Sequence, residues 1–142
     1  MKQRTAFHEE MRRDLMRVYR EVCANYSCRD NTEALEKVIN HPAPRFYINV
    51  KSAHTILSPM MHGDRTMLQK MTPQKRQMYE DLFDTVLRLS QKDRFHNCTL
   101  HHILRFAIQE PAPKFYIQLR RMEQIWKEET LRIKERNRRT MI

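Results

Sequence analysis

One glycine, Gly63, is all that this sequence possesses. Phosphate-cradling loops and dinucleotide fingerprints need several glycines so that backbone amides can approach a ligand, and neither can be built here. Compact β-rich folds also use glycine at tight turns, so its scarcity favours helices. Long apolar runs are missing too: nothing approaches the roughly 20 residues that span a bilayer, and no membrane partner is expected. Met1-Lys2-Gln3-Arg4-Thr5 is followed by no hydrophobic signal region, which gives a cytoplasmic expectation. Cys23, Cys28 and Cys98 are an odd number of thiols. They read as free cysteines in a reducing compartment, with Cys23 buried in a helix stripe.

A catalytic signature is lacking as well. His8-Glu9 has no second histidine one helical turn on, as a metalloprotease helix would. Glu9-Glu10, Glu80-Asp81 and Asp84 lie on amphipathic segments, where carboxylates solvate the outer face. No small-molecule substrate or cofactor is evident. His96, Cys98, His101 and His102 cluster closely, and zinc accepts such ligands in tetrahedral geometry. Their spacing fits no zinc finger and no CxxC occurs, so the expectation is polar surface and no metal.

What the chain does have is positive charge and a repeat. Its 142 residues carry a net charge of +10 at 40% hydrophobic and 31% charged composition, which is the balance of a globular protein with an anionic partner. The excess is spread along the sequence and is densest in 118–142, where Arg132, Lys134, Arg136, Arg138 and Arg139 crowd together. These five suit phosphates or an acidic partner; equally, they suit the negative pole of a helix dipole.

The repeat is Pro42-Ala43-Pro44-Arg45-Phe46-Tyr47-Ile48, which recurs as Pro111-Ala112-Pro113-Lys114-Phe115-Tyr116-Ile117. Upstream, 31–40 matches 100–109, and 11–22 matches 75–86 after a five-residue insertion in the second copy. The expected fold class is mainly α: two tandem copies of a helix-helix-extended-helix module packed as one helical domain. The first module covers 1–57, a Met-rich linker 58–72, and the second module with a long basic C-terminal helix 73–142. Apolar residues at 7, 11, 15, 18 and 22 make a 3.6-residue stripe. Thr72 before Pro73 predicts a helix to about Ser90. Asp30 or Asn31, and Thr99 or Asn97, are the expected caps of the second helices. Residues before proline avoid the α region, so His41, Ala43, Glu110 and Ala112 are predicted to be extended. A helix-turn-helix does not fit, since about nine residues separate the helices where a turn of three or four is needed.

Within the repeated heptapeptide, alternation places Phe and Ile on a core face and the cation and tyrosine on the other. Arg45 and Lys114 could then contact phosphates, with Tyr47 and Tyr116 beside them to stack or hydrogen-bond. The competing reading is structural, a proline-stiffened corner that plugs the core. The heptapeptide after an amphipathic helix resembles a pattern in small proteins of bacteria and their phages or mobile elements. That resemblance implies a mobile-element accessory protein and carries over no activity or residue role. The functional expectation is a non-enzymatic nucleic-acid-binding protein, DNA or RNA, working mainly through phosphate contacts. The alternative is a protein-interaction or assembly subunit, a homo-oligomer included, with two similar docking faces. A metal-dependent nuclease comes third.

Overall fold

A computed structural model describes residues 2–140, with side chains from 7 onward. The chain is mainly helical. Among the described residues six α-helices run in order: α1 (Lys2–Asn25), α2 (Asn31–Ile39), α3 (Val50–Met60), α4 (Pro73–Ser90), α5 (Leu100–Ala107) and α6 (Leu119–Thr140). Short 3-10 turns at Thr66–Lys70 and Asp93–Phe95 lie between them. Among the described residues no helix is long and apolar enough to cross a membrane.

The helix starts follow local chemistry. Asp30, Asn49, Thr72 and Thr99 each sit in extended backbone and accept a hydrogen bond from the amide three residues on. Each satisfies a donor that the first turn leaves unpaired, typically worth about 1 kcal/mol. Pro73 occupies the opening turn of α4, where its missing N–H costs nothing. Pro59 falls inside α3, one residue from its end at Met60.

The chain divides into two compact units. One comprises 1–41 with 117–142, and the other 42–116. In the first, α1, α2 and α6 pack on one another around Leu15, Val18, Val22, Leu35, Val38, Met122 and Ile125. In the second, α3, α4 and α5 pack together around Phe46, Leu57, Leu82, Val86, Leu89 and Leu104. Compactness therefore cuts the chain differently from the segments 1–57, 58–72 and 73–142. The helix that follows each PAP heptapeptide groups with the helix pair of the other half. The stretch 58–72 also belongs to the second unit: Leu68 is buried there, and Arg65 reaches Glu80 at 2.9 Å. Met60 is buried, while Met61 and Met67 are exposed.

Both heptapeptides contribute to the second unit, and they meet at one antiparallel bridge, Ala43 to Ala112. Each alanine amide donates to the other's carbonyl at 2.9 Å. The prolines on either side of each alanine lose nothing by lacking an N–H, because residues flanking a mutually bonded antiparallel pair point that group away from the partner segment. Both alanines are buried; the small side chain lets the two backbones approach. Phe46, Ile48, Phe115 and Ile117 are buried as the alternation requires.

Candidate functional site

The nine cations and tyrosines singled out by the sequence fall in two different settings. In the heptapeptides the aromatic rings pair crosswise. Phe46 stacks on Tyr116 at 6.2 Å between centroids, and Tyr47 on Phe115 at 6.0 Å, both nearly coplanar. The Tyr116 hydroxyl donates to Asp81 Oδ2 on α4, whose other oxygen accepts from Gln77 at 2.9 Å. Burial, and then the Asp81 carboxylate, push the Tyr116 hydroxyl far above the ordinary phenol range. Its backbone also sits at φ 58°, a left-handed conformation that a bulky residue adopts only when its surroundings hold it there. Tyr116 is thus committed inside the fold. Arg45 is half-buried, and its Nε donates to the Phe46 carbonyl at 3.2 Å. Lys114 is exposed.

The C-terminal cations stand in the open. Every residue from 131 to 140 is exposed, including Leu131 and Ile133. Arg132, Arg136 and Arg139 follow one another at helical spacing and turn toward α1, where they line a groove of about 760 Å³. Arg13, Met16 and Arg20 of α1 form the other wall. Lys134 and Arg138 are not part of that lining and lie on the other side of α6 by their spacing. The groove's glutamates engage some of these cations. Arg132 reaches Glu129 at 3.0 Å and Glu9 at 3.9 Å, and Arg139 reaches Glu135 at 3.9 Å. Among the described residues no ion pair engages Arg13, Arg20 or Arg136.

Beside the groove, α1 and α6 are pinned by a tighter cluster. Arg12 Nη2 meets Glu128 at 2.7 Å and holds that carboxyl below its usual range. Arg12 Nε is buried without a hydrogen-bond partner. Arg121 contacts His8 Nε2 at 2.8 Å. A guanidinium has no acceptor, so that ring nitrogen must accept and the imidazole is neutral. Burial, then the Arg12 and Arg121 charges, lower the His8 pKa accordingly.

Arg13 and Arg20 do not stand out when the charge is read segment by segment, although a signal exists: Arg13, Met16 and Arg20 repeat at intervals of three and four, as do Glu129, Arg132, Arg136 and Arg139. Cys23 needs a correction. It is exposed, because it lies one residue past Val22 and so about 100° off the buried stripe. All three cysteines are free. Among the described residues no three His, Cys, Asp or Glu side chains gather into a metal-holding group; His101 instead sits 6.3 Å from His54, ring to ring. No protein-family model, curated protein or solved structure matches the chain.

Proposed function

We propose that this is a non-enzymatic nucleic-acid-binding protein, built from two copies of one helical module, that grips phosphates through the α1/α6 groove. The observation that carries the reading is the set of guanidinia that no ion pair engages among the described residues, Arg13, Arg20 and Arg136, lining one groove, with the exposed basic end of α6 beyond it. Arginines that only stabilise a surface pair with neighbouring carboxylates, as Arg132 does with Glu129. Those left over form a positive site that a phosphate backbone would neutralise bidentately. Lys134 and Arg138 extend the contact around the helix. In this reading the third helix of each module has been exchanged with the other copy.

The test is the affinity of labelled DNA and RNA oligonucleotides measured across a salt series. Binding should weaken steeply, with a log–log slope of about −0.9 for each duplex phosphate contacted and about −0.7 on a single strand. Affinity independent of salt, or no binding at low salt, would contradict the proposal. A second reading, an assembly subunit, draws on Leu131, exposed by 64% on the basic end of α6 with the exposed Ile133 two residues on. It predicts self-association in sedimentation that Leu131→Lys abolishes.

A further inference from the structure

The second unit holds a group of rings and cations of its own. Phe106, on α5, is 41% exposed although it is a large apolar side chain. Phe95 meets it edge-on at 5.2 Å, and His102 at 5.3 Å. The Arg94 guanidinium lies over Phe95 at 4.7 Å and over Phe106 at 5.7 Å. Phe95 is buried and holds the cluster to the body of the unit. Arg94 and Arg105 are exposed, and among the described residues no ion pair engages either. A part-exposed aromatic ring, met at a steep angle by two other rings and carrying an arginine outside any ion pair, has the makings of a base-stacking surface. Every nucleobase has a π-face that such a ring can cover, and the adjoining guanidinium can take the phosphate or stack in turn.

We infer that Phe106, with His102 and Arg94, is a platform for an unpaired nucleobase, so that the protein prefers single-stranded to duplex nucleic acid. The inference rests on the proposed nucleic-acid function and adds the class of ligand. A duplex hides its base faces by stacking, and only a single strand or a flipped nucleotide can use the platform.

The experiment compares a labelled oligothymidylate of about a dozen nucleotides with a duplex of equal length. Wild type should bind the oligothymidylate more tightly. Phe106→Leu, which keeps the apolar volume, should weaken that binding about tenfold, the effect of losing one stacked base, and leave duplex affinity unchanged. Phe106→Trp should retain affinity, and its emission should be quenched by the oligothymidylate beyond any change seen in wild type, whose single tryptophan is Trp126. If Phe106→Leu fails to fold by circular dichroism, quenching in the Phe106→Trp variant decides. Equal losses on both ligands, no loss in a folded variant, a duplex preference or an unquenched Phe106→Trp variant would overturn the platform while leaving the groove standing. No binding of either ligand at low salt would overturn both.

Discussion

The repeated heptapeptides and the α1/α6 groove differ in how they use charge and aromatic surface. The heptapeptides are nearly identical in sequence, and they turn their shared chemistry inward: rings stack crosswise, Ala43 and Ala112 exchange hydrogen bonds, and Tyr116 reaches Asp81. The groove has no counterpart in the repeat, and among the described residues three of its arginines stand outside any ion pair. Sequence likeness between the halves therefore marks what the fold needs, while the unrepeated basic end marks what is available to a partner.

The largest effect that would sharpen this contrast is on stability. Phe46→Ala and Phe115→Ala each remove a buried ring and should destabilise by about 3–5 kcal/mol, read from chemical denaturation. A loss under about 1 kcal/mol at either site would break the comparison, since exposed positions tolerate such changes. Next comes Tyr116→Phe, which strips the donor from a carboxylate and should cost about 1.5–3 kcal/mol. The same hydroxyl makes a pH prediction. Its folded-state pKa is raised, so the stabilisation is complete below the ordinary phenol value of 10.0 and is lost as pH climbs beyond it. Unfolding at alkaline pH should therefore coincide with a late rise in tyrosinate absorbance, and Tyr116→Phe should remove the late component.

A smaller effect belongs to His8. Its folded pKa is depressed, so the unfolded chain takes up the proton first as pH falls through the ordinary value of 6.5. Stability contributed by the α1/α6 contact is present above that pH and declines below it. His8→Gln should flatten the decline on the acid side; an unchanged pH profile would place the neutral imidazole elsewhere. The smallest effect expected is on binding by the heptapeptide cations: Arg45→Ala with Lys114→Ala should leave affinity within about twofold, because surface substitutions away from a site change little.

Much of the fold was legible because it is local. Asp30, Thr72 and Thr99 announce helix starts by side-chain chemistry, and the prolines fix the extended corners. The five-residue insertion falls within the connection 87–99, and the alignment says nothing of its shape; that connection holds the Asp93–Phe95 turn and the buried ring of Phe95. What could not be read was pairing across distance. Nothing in the order of segments says that α6 joins α1 and α2, or that α3 joins α4 and α5. The Tyr116–Asp81 bond spans 35 positions, and Tyr47, in a nearly identical local sequence, gives no hint that of the two tyrosines Tyr116 adopts a left-handed backbone. The groove was half legible: the tail arginines stood out by density, while Arg13 and Arg20 gain their meaning only when α1 lies against α6.

The contrast between heptapeptides and groove comes down to a comparison of two variants on one oligonucleotide across a salt series. One replaces Arg13, Arg20 and Arg136 by glutamine, and the other replaces Arg45 and Lys114 by alanine. The groove variant should bind at least about tenfold more weakly and show a shallower salt slope, by about 0.7 for each single-strand phosphate it no longer neutralises. The heptapeptide variant should keep both the affinity and the slope of wild type. The reverse pattern, with both proteins folded, would contradict the assignment of binding to the α1/α6 groove.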